Sequence, residues 1–173
     1  KDFVPLAGLD DIVFGGWDPI SPNALEAART AGVLEERDLG PLSGELEGIT
    51  AMPAVFDQRW VKRLDGVRVK TGDSKWDLAQ QLIADIERFR TENELDRLVM
   101  VWCGSTEAYQ EPSAVHETVE AFEAGLRADD ENISPSQLYV YAALASGVPF
   151  ANGAPNLSTD LKCMEELAVA NGV

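Results

Sequence analysis

The segment from Asp96 to Cys103 constrains the fold more than any other part of the sequence. It reads Asp-Arg-Leu-Val-Met-Val-Trp-Cys, so its last six residues are all apolar. A short run that is apolar at every position is typical of a parallel strand covered on both faces. A small polar loop, Gly104-Ser105-Thr106-Glu107, follows it. The segment therefore predicts a central parallel strand that runs into a loop and a helix.

Other segments repeat this alternation. Short apolar runs predict further strands at residues 11–18, 49–52 and 148–151. Apolar residues at helical spacing, with suitable caps, predict helices at residues 21–31, 73–89, 113–128, 137–145 and 159–170. Residues 38–56 favour a short helix before the second of these strands, and residues 57–72 favour no single element. Strand and helix alternate about every 30 residues, which predicts an α/β fold with a doubly wound parallel sheet.

Individual capping residues support three of these helices. Ser21, followed by Pro22, is predicted to cap the first helix, and Gly32 to end it. Asp73 or Ser74 is predicted to cap the helix that carries the apolar stripe from Trp76 to Phe89. Ser134, followed by Pro135, is predicted to cap the helix at residues 137–145.

Charge and cysteine content exclude several classes of function. The chain has 30 acidic and 14 basic residues, a formal net charge of −16. Such a surface repels nucleic acid and anionic membranes, so neither is expected as a partner. Cys103 and Cys163 form no disulfide framework or zinc pattern, which favours a reducing compartment. No metal site is predicted, because the acidic cluster Asp129-Asp130-Glu131 lacks the spacing of a calcium loop.

Ligands of open parallel sheets bind beyond the carboxyl ends of the strands. The first such end here is Gly15-Gly16-Trp17-Asp18. An acid at the end of a second strand can accept hydrogen bonds from the adenosine ribose of a dinucleotide and repel the extra phosphate of NADP. Asp18 fits that role, although a turn aspartate before a helix fits the same residues.

Two further loops and one short apolar stretch are candidates. Gly104, Ser105 and Thr106 allow a cofactor close to the backbone, or form an ordinary strand-to-helix loop. Asn152 and Gly153 begin the third loop, and Asn-Gly is also a common turn. Ala54 and Val55 provide an apolar wall for adenine or belong to the core.

Residues for nucleophilic catalysis are scarce. We interpret Cys103 as a small buried hydrophobic residue, because His116 is the only histidine and offers no triad. His116 itself is interpreted as solvated or as a cap. The sequence contains no G-x-G-x-x-G and no G-x-x-x-x-G-K-[ST] motif. We therefore expect residues 1–173 to be one partial Rossmann-like domain of a longer enzyme, without its first glycine-rich strand–helix unit.

Four motifs, in order and with compatible spacing, resemble the myo-inositol-1-phosphate synthase family, also called inositol-3-phosphate synthases. They are Gly16-Trp17-Asp18, the stretch Trp102-Cys-Gly-Ser-Thr-Glu107, Ser134-Pro135-Ser136, and Gly147-Val-Pro-Phe-Ala-Asn-Gly153. The resemblance extends from Asp11 to Gly172. The Cys-Gly-Ser-Thr and Asn-Gly-Ala-Pro-Asn stretches are closer to bacterial members.

The resemblance implies a cytoplasmic, NAD-dependent isomerase, homotetrameric at full length. It would convert glucose 6-phosphate to 1D-myo-inositol 3-phosphate, in inositol and phospholipid biosynthesis, by internal oxidation, aldol cyclisation and reduction. By motif position, Asp18 would hold the adenosine ribose, and Ala54 and Val55 would line adenine. Gly104, Ser105 and Thr106 would face the nucleotide, and Asn152 and Gly153 the nicotinamide end.

The same resemblance places the family's catalytic lysines beyond Val173, so no catalytic residue is expected in this chain, and the segment alone is expected to be inactive. The chain has only five lysines. Two alternatives stay open: another NAD-dependent oxidoreductase, and a nucleotide-binding module without chemistry.

Overall fold

The computed structural model describes residues 6–173. Its α-helices are α1 (Ala24–Ala31), α2 (Glu36–Leu39), α3 (Ser43–Gly48), α4 (Lys75–Glu92), α5 (Val119–Arg127), α6 (Pro135–Ala145) and α7 (Lys162–Asn171). Its strands are β1 (Met100–Trp102) and β2 (Phe150–Asn152), and short 3-10 turns lie at Leu9–Asp11, Gly40–Leu42 and Ala114–His116.

Helix α6 forms the centre of the molecule. As predicted, Ser134 caps it, Pro135 occupies the first turn, and Gln137 completes a capping box. Every residue from Pro135 to Leu144 is buried, as expected for a helix without a polar face. α6 packs against α4 on one side and α7 on the other. The hydrophobic core of the described residues is built around it.

The sheet consists of β1 and β2, which pair in parallel with Val101 opposite Ala151. The ladder extends beyond β2, because the Gly153 N–H donates to the Trp102 carbonyl at 2.8 Å. The carboxyl end of β1 is thus fixed to the loop that follows β2. This joins two of the three predicted strand-end loops.

The strands are shorter than predicted. Residues 96–103 contribute only Met100–Trp102, and the segment at residues 11–18 forms a single parallel bridge, between Trp17 and Met52. β1 was predicted to be covered on both faces, and this is wrong within the described residues, since Val99 is 68% and Val101 58% exposed. The reason is that, among the described residues, β1 pairs with β2 alone and no element covers the face that carries Val99 and Val101.

Some helix boundaries also differ from the predicted ones, because a residue other than the expected one caps the helix. α1 begins after Asn23, whose side chain accepts from the Glu26 N–H at 2.9 Å, and not after Ser21. The helix predicted at residues 113–128 is interrupted, because Thr118 caps α5 by accepting from the Ala121 N–H. α7 starts at Lys162, three residues later than predicted. Ser74 caps α4, and Gly32 ends α1 in the left-handed conformation, both as predicted.

Residues 57–72, for which no element was predicted, form a loop that returns to pair with the backbone of Ala54. Ala54 pairs in parallel with Val69, and the Lys70 N–H donates to the Ala54 carbonyl at 2.8 Å. The loop therefore aligns Ala54 and Val55 alongside the bridge between Trp17 and Met52.

Candidate functional site

A cavity of about 930 Å³ opens between the Trp17 segment and β1. Its lining residues come from strand ends that are distant in sequence: Gly16, Trp17 and Asp18, then Ala54 and Val55, then Trp102, Gly104 and Ser105. Two of the three predicted strand-end loops and the predicted apolar stretch thus meet at one cavity. Its size is within the range of small-molecule and cofactor sites.

Asp18 shapes the rim of this cavity. One carboxylate oxygen, Oδ1, accepts from the backbone N–H groups of Ile20 and Ser21, at 2.6 and 2.7 Å. Ser21, predicted as a helix cap, is therefore part of the turn that Asp18 holds. Within residues 6–173, no hydrogen bond engages Oδ2. Asp18 can both stabilise its own turn and accept from a ligand hydroxyl, so its two predicted roles are compatible.

Arg68 secures the same turn from outside. Its guanidinium donates to the Ser21 carbonyl at 2.6 Å and to the Ala51 carbonyl at 2.9 Å. The backbone N–H of Arg68 also donates to the Pro19 carbonyl. Because both terminal guanidinium nitrogens donate to backbone carbonyls, Arg68 holds the Asp18 turn against the backbone at Ala51.

Aromatic side chains form one wall of the cavity. Tyr139 of α6 lies between Trp17 and Trp102, with ring centroids 5.2 Å from each. Its hydroxyl oxygen accepts from the buried Val55 N–H at 2.8 Å. Burial raises the pKa of Tyr139 far above its usual value, so the phenol stays protonated. One side chain of the central helix thus contacts all three strand ends around the cavity.

Glu107 holds the loop after β1 in place. Its carboxylate accepts from the backbone N–H of Ser136 at 2.8 Å and from the Ser136 hydroxyl at 2.6 Å, at the start of α6. Its own N–H donates to Asn156 Oδ1 at 2.9 Å. Burial is the main influence on this carboxyl and raises its pKa, against the opposing effect of the Ser136 bonds.

The indole nitrogen of Trp102 is buried and has no hydrogen-bond partner among residues 6–173. Gly104 lies against the same ring, since a Cβ there would come within 2.9 Å of it. Buried donors without partners are rare in folded proteins. A ligand or a further chain segment that brings an acceptor into this part of the cavity would satisfy the Trp102 N–H.

The sequence model of the myo-inositol-1-phosphate synthase family, for its NAD-binding domain, matches residues 1–173. The chain belongs to this family. It is 45% identical to inositol-3-phosphate synthase 1 of Bacteroides thetaiotaomicron, over all of this chain and 41% of that protein. It is 32% identical to the inositol-3-phosphate synthase of Brassica napus, over all of this chain and 34% of that protein. The resemblance drawn from the four motifs is confirmed.

A solved structure agrees with the family assignment. The crystal structure of inositol-3-phosphate synthase from Caenorhabditis elegans superposes with a TM-score of 0.92, at 26% identity, over all of this chain and 34% of that one. The predicted α/β fold with a parallel sheet is therefore confirmed. The chain spans about two fifths of the bacterial relative and about one third of the plant and nematode ones.

NAD is the cofactor of the matched domain. The residues present fit a dinucleotide. The cavity has a suitable volume, a carboxylate with one oxygen available at its rim, and small residues at Gly16 and Gly104. The partnerless Trp102 N–H adds a buried donor. No helix in the described part of the chain could cross a membrane.

The structure does not bring every predicted site residue to this cavity. Asp18, Ala54, Val55, Gly104 and Ser105 line it, and Thr106 follows directly without lining it. Asn152 lies at a second, open cavity of about 500 Å³, beside Asn156. Gly153 adjoins the main cavity only through its bond to the Trp102 carbonyl.

One interpretation of a single residue is wrong, and another holds in one of its two alternatives. Cys103, interpreted as buried, is exposed and lines the main cavity, because the strand ends at Trp102. His116, interpreted as solvated or as a cap, is buried: its Nδ1 accepts from the Ser113 N–H, so only the capping alternative holds.

Sequence reasoning gave no role to several residues that build this site: Arg68, Tyr139, Lys70 and Asp85. Each acts across at least 15 positions of sequence, so local pattern carries no signal for them. Trp17 was the exception, since it stands inside a motif.

Proposed function

We propose that this chain is the NAD-binding portion of an inositol-3-phosphate synthase that converts D-glucose 6-phosphate to 1D-myo-inositol 3-phosphate. The observation that carries the proposal is the meeting of the loops around Asp18, Ala54 and Ser105 at one cavity, in a chain of this family. Inositol and phospholipid biosynthesis is the proposed context, in the cytoplasm, and the assembled enzyme is proposed to be a homotetramer.

Each candidate residue has a proposed task in holding NAD. Asp18 Oδ2 accepts from the adenosine ribose hydroxyls, while Oδ1 keeps its turn. Ala54 and Val55 lie against adenine. The backbone of Gly104, Ser105 and Thr106 faces the nucleotide. Asn152 and Gly153 lie towards the nicotinamide end, next to the Trp102 carbonyl.

We also propose that residues 1–173 form a single partial domain. Among the described residues, β1 pairs with β2 alone, so its other edge is free. Val99 and Val101 beside that edge are exposed, as are Val13 and Phe14 on the segment across the cavity. Open edges of this kind call for a strand. In a dinucleotide fold the first strand lies between the second and the fourth, and carries the glycine-rich phosphate loop. A parallel strand from elsewhere in the enzyme would fit here.

The chemistry is proposed to draw its catalytic cations from outside this chain. NAD, when bound, takes up a hydride from the sugar and returns it. The phosphate and the developing enolate need fixed positive charge. Lys70 is paired with Asp85, Lys75 holds the carbonyls of Asp130 and Ile133, and Lys162 is paired with Glu117. Following the family resemblance, we assign no catalytic residue to this chain and place the catalytic lysines outside it.

The test is the product made by the whole enzyme from glucose 6-phosphate with a catalytic amount of NAD. Inositol phosphate without net NADH supports the proposal, because the cofactor is restored in each turnover. Stoichiometric NADH indicates an ordinary dehydrogenase, and NAD binding without any product indicates a binding module. Either of these results overturns the synthase assignment.

A further inference from the structure

Asp85 of α4 is a buried carboxylate with three donors from three different segments. It is 4% exposed. Its Oδ2 accepts from Trp17 Nε1 and from Lys70 Nζ, both at 2.7 Å. Its Oδ1 accepts from Arg88 at 2.6 Å. Burying a carboxylate is costly unless it is paired and hydrogen-bonded, and all these donors are in place.

The donors of Asp85 belong to the rim of the main cavity or support it. Trp17 directly precedes Asp18 and bridges Met52. Lys70 donates its backbone N–H to Ala54. Arg88 also contacts the sulfur of Met52 at 3.4 Å. One carboxylate on α4 therefore joins both rim segments to the helix that packs on α6.

We propose that Asp85 is a positioning residue for the nucleotide site, acting on the cofactor through Trp17. The idea rests on the proposed function, because it assumes that NAD occupies the cavity. With Asp85 in place, the Trp17 indole is fixed edge-on to Tyr139 at 5.2 Å, and Asp18 follows it onto the rim. Without the carboxylate, Trp17 loses its acceptor and Lys70 its counter-charge.

The test is a double-mutant cycle on NAD affinity in the whole enzyme, using Asp85→Ala, which removes both acceptor oxygens, Trp17→Phe and the double variant. Each single change is expected to weaken NAD binding by about tenfold, the usual effect of one hydrogen bond to a charged group. Both changes break the same hydrogen bond, that between Trp17 and Asp85. The double variant should therefore bind NAD no more than about twofold more weakly than the single variant with the lower NAD affinity. KM for NAD should rise while kcat changes little.

A general loss of stability would not give this pattern. Leu126→Ala, in the buried face of α5 and away from the rim, serves as the matched control. It should lower the unfolding temperature and leave NAD affinity unchanged. Independent, multiplying effects of the two changes overturn the inference, as does NAD affinity within twofold of the parent in Asp85→Ala.

If Asp85→Ala does not fold, Trp17→Phe alone decides, because unchanged NAD affinity in that variant excludes the link. Failure of the parent enzyme to bind NAD is a different result, and it overturns the proposed function instead.

Discussion

Tyr139 and Val55, which are 84 positions apart, are joined by a buried hydrogen bond of 2.8 Å from the Val55 N–H to the tyrosine hydroxyl. The bond anchors the proposed adenine wall to the central helix. Tyr139 also packs between Trp17 and Trp102. One side chain thus fixes the spacing of strand ends that no β-ladder joins within the described residues.

Removing this hydroxyl tests the arrangement. Tyr139→Phe leaves the Val55 N–H buried without an acceptor and should cost about 1–3 kcal/mol of unfolding free energy. NAD affinity should fall as well, because Val55 lines the cavity. Tyr141→Phe is the matched control, since it removes a hydroxyl bonded to Glu123 on another face of α6. It should spare NAD affinity, and a loss equal to that of Tyr139→Phe would contradict the prediction.

Asp18 is expected to act on the ligand as well as on its own turn. Asp18→Ala should weaken NAD binding by about 1–3 kcal/mol. Asp18→Asn keeps an oxygen for the Ile20 and Ser21 N–H groups, so the turn should persist while discrimination against NADP declines. Titration calorimetry with both cofactors on the whole enzyme measures this. Asp96→Asn, an exposed charge before β1, controls for net charge, and unchanged affinity in both Asp18 variants would remove Asp18 from the site.

Glu107 should make stability depend on pH in an unusual direction. Because its pKa is raised in the folded state, the ionised form is disfavoured there. The stability it contributes is therefore largest below the unfolded pKa of about 4.3 and declines as pH rises through the folded pKa. Glu107→Gln stays neutral and can still bond to both Ser136 groups. Its unfolding free energy relative to the parent should therefore increase as pH rises through the folded-state pKa of Glu107.

Denaturant unfolding of the parent and of Glu107→Gln, from about pH 4 to about pH 8, measures the difference in their unfolding free energies. Most proteins are near their greatest stability over much of this range. Glu45→Gln, on the exposed surface of α3, controls for the loss of one negative charge from an acidic chain. A constant difference between Glu107→Gln and the parent across the range would show that burial does not govern this carboxyl.

Gly153 permits a close approach of two strand ends. A Cβ at this position would lie 2.8 Å from the Trp102 carbonyl oxygen, a backbone atom that cannot rotate away. Gly153→Ala should therefore lower stability by about 1–3 kcal/mol, as overpacking does. Gly44→Ala, inside α3 with nothing within 4 Å of a new Cβ, should be neutral or stabilising by about 0.5–1 kcal/mol. Equal effects at both glycines would refute the steric explanation, and thermal unfolding distinguishes them.

The sequence by itself determined the order and type of most elements. Ser134 and Pro135 specify the start of α6, Ser74 that of α4, and Gly32 the end of α1, because caps depend on groups only a few residues apart. The family was recognisable for a similar reason, since its motifs are short and local. The loops that carry Asp18 and Ser105 could therefore be predicted.

Only the tertiary structure decided which strand ends meet and what holds them. The strands of residues 11–18 and 96–103 are shorter than their sequences predict, because strand length depends on neighbours as well as on the strand's own residues. The roles of Tyr139, Arg68 and Asp85 arise from bonds across 17 to 84 positions. Burial gives those bonds their importance, and burial is a property of the folded chain, which no local pattern of residues contains.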